Sequence, residues 1–197
     1  MNAQKYTQKS LEAIQAAQSL ALQHQNQQIE QVHLLGALLQ QEGGLIPQLL
    51  QKMGRAPESL AAAVSKEITK LPSVTGSGRE ADKYYIAREV DQVFQEAESA
   101  AAQMHDDFVS VEHLFLALLT CPDRTLKQLF STYQLQKEDV LQALQTIRGN
   151  QRVTNDNPED TYEALEKFGT DLVKRAREKK MDPVIGRDDE IRNVIRI

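Results

Sequence analysis

Two histidines at equivalent places in the chain are the first candidates for chemistry. His33 lies in IEQVHLLGALL (Ile29–Leu39) and His113 in VSVEHLFLALL (Val109–Leu119), eighty positions apart. A zinc site needs three or four ligands, and the chain has four His and one Cys with no ligand-spaced cluster. Both histidines therefore read as structural: each sits in the first turn of a buried helix, where a ring nitrogen can bond backbone or a neighbouring acid. Cys121, before Pro122, has no basic cluster to stabilise a thiolate and reads as a helix-end packing residue. Asp106, Asp107 and Glu112 gather at the start of the second histidine helix. They admit two readings, helix capping with favourable dipole placement or an acidic rim beside an apolar groove. The run Lys174-Arg175, Arg177, Lys179-Lys180 reads as a solvated helix end, or as a charged surface against a neighbouring subunit. None of the nine glycines precedes a lysine. The phosphate loop G-x-x-x-x-G-K-[ST] is therefore absent, and this chain alone should not hydrolyse ATP. No nucleophile–base or carboxylate pair converges, which leaves no basis for an independent enzyme.

The elements that must position these residues come in two copies. At the same offset Ala17, Ser19, Ala21 and Gln23 match Ala97, Ser99, Ala101 and Gln103, and Glu58 and Ala63 match Glu138 and Ala143. Self-similarity at a fixed offset marks a duplicated supersecondary unit, and two copies argue for a closed pseudo-symmetric pair rather than an open solenoid. The expected fold is all-α, with repeats at about 1–70 and 80–148 forming one domain over 1–148. In the first repeat, Thr7 caps a helix to about Gln23, followed by helices at Ile29–Gln40, Ile46–Met53 and Pro57–Lys70. The second repeats the pattern at about Glu80–Met104, Val111–Leu119 behind the cap Ser110, Thr125–Thr132 and Lys137–Arg148. Between the two, LPSVTGSG is punctuation without helical pattern. No segment alternates with period two, so little or no sheet is expected. The polar stretch Gly149–Asn157 reads as a linker, extended to 162. A helix cap at Asn157-Pro158 falls within it; beyond it, 163–197 reads as the incomplete start of another domain, with a helix from Gly169-Thr170 to Lys180 and an unfinished helix after Asp188-Asp189-Glu190.

Composition narrows the class. With 41% hydrophobic and 5% aromatic residues and no Trp, the core is aliphatic. Net charge is −5 with no long basic stripe, which disfavours nucleic acid as a partner. A lone cysteine and no apolar signal core fit a reducing, cytoplasmic location. The longest apolar run, Leu114–Leu119, is too short to span a membrane. Two packed four-helix units meet along a seam, and such seams supply apolar clefts that hold extended or helical peptides without catalysis.

HLLGALL and HLFLALL at this offset resemble the double N-domain of Clp ATPases over roughly 1–148. LPSVTGSG, RGNQRVTNDNPEDTYEALEKFGTDL and MDPVIGRDDEIRNVIRI further resemble the ClpB-type disaggregases. The resemblance implies a homohexameric ATP-driven machine that threads aggregated polypeptide with help from the DnaK chaperone system, its N-domain capturing unfolded or aggregated chains. It places Thr7, Asp106 and Glu112 around the substrate-binding surface and Phe94 and Leu114 in the groove. Pro183, Val184, Ile185 and Gly186 would line the adenine pocket of a first AAA+ domain, so ATP is a cofactor of the longer protein and none is expected for this chain. Val32 departs from the family pattern, in which an acid precedes the histidine; Glu112 keeps it. The alternatives are an adaptor-docking N-domain of a protease-coupled Clp ATPase and an all-α scaffold.

Overall fold

Helix ends explain the architecture before the core does. In the computed structural model, which describes residues 2–74, 85–149 and 152–158, the first repeat contains α1 (Gln8–Gln23), α2 (Gln31–Gln40), α3 (Leu45–Lys52) and α4 (Pro57–Lys70). The second contains α5 (Arg88–Gln103), α6 (Val111–Thr120), α7 (Arg124–Thr132) and α8 (Lys137–Arg148). Two-residue strands, β1 (Gln28–Ile29) and β2 (Tyr85–Ile86), pair in parallel. Among the described residues the fold is all-α apart from that pair.

α1 starts behind Thr7, whose side chain accepts from the Ser10 N–H. It ends when Gln25 turns left-handed, φ 57°, so that the Asn26 N–H reaches the Ala21 carbonyl at 2.8 Å. α5 ends in the same way: His105 has φ 57° and the Asp106 N–H bonds Ala101 O at 2.9 Å. This closure is the Schellman arrangement. Here it is made without glycine, at the cost that a side chain meets in left-handed backbone. It also sets the residue after the turn, Asn26 or Asp106, against the first turn of the next helix.

The central helices are α2 and α6. Every residue of α2 except its last is buried, and α6 is buried from Val111 to Leu118. Helices that are apolar all round belong inside, and the others wrap them with one face each, such as Ala13, Ala17 and Ala21 of α1 or Val93, Phe94, Ala97 and Ala101 of α5. The two copies differ where packing differs. A Cβ on Gly36 would lie 3.3 Å from Val64 Cγ1 and 3.4 Å from both Ile68 Cδ1 and Leu20 Cδ1, whereas the matching Leu116 is fully packed.

Three expectations need correction. α2 begins at Gln31 rather than Ile29, because Ile29 is drawn out to pair with Ile86 and Glu30 caps the helix. The helix expected from Glu80 begins at Arg88, since Tyr85–Ala87 is extended against Gln27–Ile29; positions 80–84 lie outside the described residues. The stretch read as a linker is fastened: Val153 is fully buried, its N–H bonds Asp106 Oδ1 at 2.8 Å and its carbonyl accepts from Asp107 N–H at 2.9 Å. Further along, Asp156 O accepts from Gln8 N–H at 2.8 Å. The chain divides into two compact units, Met1–Tyr162 and Glu163–Ile197. The second lies outside the described residues, as do the helices expected there, the basic run from Lys174, and Pro183–Gly186.

Gly36→Leu is expected to destabilise the protein by about 1–3 kcal/mol through overpacking, read as a lower urea midpoint at unchanged slope. Leu116→Ala, which instead leaves a hole, should cost about 2–5 kcal/mol.

Candidate functional site

The two histidines fall in the same local device. His33 Nδ1 accepts the Glu30 backbone N–H at 2.9 Å, and His113 Nδ1 accepts the Ser110 N–H at 3.0 Å. Each ring thus satisfies one of the N–H groups that a helix start leaves without a partner. Because Nδ1 accepts, the proton sits on Nε2. His33 Nε2 donates to Asn26 Oδ1 at 3.0 Å, and Asn26 Nδ2 passes a bond on to Pro72 O at 3.1 Å. His113 Nε2 donates to Asp106 Oδ2 at 3.0 Å, and the other oxygen of Asp106 takes both Arg148 Nη2 and the Val153 N–H. In each copy the residue set by the helix closure ties a histidine to the segment leaving the repeat. The first tie is neutral and the second ionic, and Arg148 of the second stands at the position of Ile68 in the first. No group of three or more metal-binding side chains occurs among the described residues.

Burial sets the protonation of these groups. Desolvation would raise the Asp106 pKa, but the bonds from His113, Arg148 and Val153 N–H and the Arg148 charge outweigh it and hold the carboxyl down at about 2. Burial, helped by the His24 charge, pushes His33 down to about 4 against the opposing effect of its bond to Glu30. Burial pushes the Cys121 thiol up, with Glu96 adding to it, so Cys121 is a poor nucleophile. At the joint between repeats, burial and then the Asp123 and Glu89 charges raise the Glu30 carboxyl.

The residues assigned by resemblance to a substrate surface and groove are inside. Thr7, Glu112 and Leu114 are fully buried, Phe94 is nearly so, and the Asp106 side chain has no exposure. Thr7 caps α1, and Phe94 meets the Tyr6 ring edge-on at 6.4 Å between centroids. Asp106 and Glu112 share Arg148: Glu112 Oε1 is 3.7 Å from Arg148 Nη1, and neither Glu112 oxygen has a hydrogen bond. The carboxyls expected as an acidic rim point inward, because a buried carboxylate beside a guanidinium offsets its desolvation; only Asp107 is exposed. Three residues that hold this site together were not singled out from the sequence. Arg148 was placed only as the last residue of a helix, and Val153 was lost in a polar stretch. Gln31 is buried and spans the repeats, its amide donating to Glu89 O at 3.1 Å and Cys121 O at 2.8 Å while Asp123 N–H donates to its oxygen at 2.7 Å. A glutamine in an otherwise apolar helix was its signal.

Exposed large apolar side chains among the described residues are Val74, Tyr85, Ile86 and Leu141. Leu141, with Met104, Leu144, Arg148 and Arg152, lines a shallow furrow of about 260 Å³ at α8. The other three flank the Gln25–Ile29 segment: Val74 N–H bonds Gln25 O, and Tyr85 N–H bonds Gln27 O.

Both histidine ties weaken in acid. His33 and Asp106 have folded pKa values below their ordinary ones, so the unfolded chain binds more protons and stability is lost as the pH drops. The window runs from about 6.5 to about 4 for His33 and from about 4 to about 2 for Asp106. Urea midpoints measured from pH 7.5 to 2.5 should fall through both windows, and His33→Gln should flatten the upper one. Asp106→Ala, which strips a buried arginine of its main partner, is expected to cost about 3–5 kcal/mol. Asp106→Asn should cost less in the same titration, since Asn26 already performs the tie as an amide.

Against known proteins, residues 5–133 match the Clp repeat (R) N-terminal domain family. The whole chain is 49% identical to the chaperone protein ClpB of Bacillus anthracis and covers 23% of that protein. It is 45% identical to the chaperone protein ClpB of Porphyromonas gingivalis, covering 22%; the chain thus spans about a quarter of the length of these relatives. The Hsp104 N-terminal domain from Candida albicans superposes with a TM-score of 0.66 at 23% identity, over 79% of this chain and 99% of that one. A complex of the ClpV N-domain with a VipB peptide gives 0.53 at 21% identity, over 71% and 89%. No described helix is long and apolar enough to cross a membrane. With two thirds of its length in the family's match and whole-chain identity to ClpB chaperones, the chain belongs to the Clp N-terminal repeat family.

Proposed function

We propose that this chain is the polypeptide-capturing N-terminal region of an ATP-driven disaggregase, which takes unfolded or aggregated chains and passes them to an AAA+ ring. The observation that carries the reading is identity to ClpB chaperones along the whole chain, on a fold that a ClpV N-domain in complex with a peptide shares. The local chemistry agrees with binding rather than turnover: the buried polar groups are engaged in holding segments together, and the exposed side chains that remain apolar suit a partner's hydrophobic stretch.

Thr7, Phe94, Asp106, Glu112 and Leu114 then act from behind the binding surface. They fix the entry to α1, the turn after α5 and the start of α6, and their loss reaches substrate only through those segments. In the longer protein, a homohexamer cooperating with the DnaK system in the cytoplasm would bind ATP partly through Pro183–Gly186, and a phosphate loop elsewhere would carry out hydrolysis. This chain would contribute capture alone. An adaptor-docking role is the competing reading, supported by the complex of the ClpV N-domain with a VipB peptide.

Titrating the chain against fluorescent α-casein, a permanently unfolded polypeptide, should give saturable binding in the micromolar range typical of weak capture. No binding at several hundred micromolar would remove the proposal. Saturable binding to one folded partner with none to casein would favour docking of an adaptor.

A further inference from the structure

The two repeats exchange their entry segments reciprocally, and among the described residues nothing bonds over the second exchange as 152–158 bonds beside the first. Ahead of α1, Lys5–Thr7 pairs with Val109: Thr7 N–H bonds Val109 O at 3.0 Å and Val109 N–H bonds Lys5 O at 2.7 Å. Ahead of α5, Tyr85–Ala87 pairs with Ile29 in the matching register, Ala87 N–H bonding Ile29 O at 3.0 Å. Each residue of one exchange has its counterpart eighty positions away in the other.

Their surroundings differ. At the first exchange the chain's own 152–158 segment is fastened to Asp106 and Asp107 through Val153 and, further on, to the start of α1. There Asp156 O takes the Gln8 N–H and Asp156 Oδ2 takes the Gln8 side-chain amide. Tyr6 is 2% exposed, packed edge-on against Phe94, and its N–H bonds Ala3 O at 3.2 Å. At the second exchange the counterpart of Tyr6 is Ile86, 53% exposed, beside Tyr85 at 59% and with Val74 across the Gln25–Ile29 segment. The counterpart of Phe94 is the smaller, half-buried Ile14. Arg88 N–H, the counterpart of Gln8 N–H, meets no acceptor among the described residues. Tyr85 and Ala87 turn their N–H groups to β1, which leaves the backbone of Ile86 facing outward, since neighbouring strand residues point opposite ways.

We infer that the Tyr85–Ile86 edge docks an extended apolar segment of another polypeptide, anchored at Arg88 N–H as Asp156 O is anchored at Gln8 N–H in the other half. The segment supplies a carbonyl to Arg88 N–H and a large apolar side chain to the volume that Tyr6 and Phe94 fill in the other half. Strand edges recognise chains in this way through backbone bonds, with side-chain pockets adding preference. The inference rests on the polypeptide-capture reading and names its site.

The test uses the full 197-residue chain and fluorescent α-casein. Tyr85→Ser with Ile86→Ser removes exposed side chains only and should weaken binding at least about tenfold. Ile86→Tyr with Ile14→Phe adds apolar surface but rebuilds the ring pair of the first half at this edge; it too should weaken binding, where general stickiness would strengthen it. Amide exchange should show casein-dependent protection at Arg88. Unchanged affinity in both double variants, with the parent chain binding normally, overturns this site while leaving capture intact. A parent chain that does not bind casein overturns both.

Discussion

The constraint on which the structure depends is that neither repeat completes its own entrance. The backbone ahead of α1 is satisfied by residues ahead of α6, and the backbone ahead of α5 by residues ahead of α2. Backbone groups taken out of water need partners, and here the N–H groups of Thr7, Val109, Tyr85 and Ala87 all find theirs in the other half. Once those two short pairings form, α2 and α6 are brought side by side and the remaining helices have only one way to cover them. Gln31 reinforces the joint from one side only, since its counterpart is Val111.

On that frame the histidine ties solve a problem common to both halves. A chain leaving a repeat must be turned back onto the body, and the residue that closes α1 or α5 is already in place to hold it. The first half uses Asn26 and leaves Ser73 exposed; the second uses Asp106 and buries Val153. Burying the second strap places a carboxylate, a guanidinium and a further carboxylate out of water together. Such a cluster is stable only while its members remain paired, so Asp106, Glu112 and Arg148 behave as one unit.

Much of this was legible in the chain itself. The eighty-residue offset foretold the paired helices, the caps at Thr7 and Ser110, and the structural role of both histidines, because those follow from periodicity and local chemistry. What escaped were the long-range effects. Nothing local distinguishes Ile29 as a strand residue from Ile29 as a first helical turn; the partner Ile86 decides it. Val153 lies among polar residues, and its burial comes from Asp106 and Asp107, far off in sequence. The carboxyls of Asp106 and Glu112 looked like a surface rim because Arg148 could not be placed near them by spacing. The exposed pair Tyr85–Ile86 follows a stretch with no helical pattern, and its openness shows only beside its covered twin.

The reciprocal entrances also bear on why the unit comes in tandem. A single copy would have to meet the same demand by associating with a second molecule about a true twofold axis, and its folding would then depend on how much protein was present. Tethering both copies in one polypeptide makes the assembly unimolecular. It also frees each copy to diverge, so that one entrance can be sealed and the other kept for visitors.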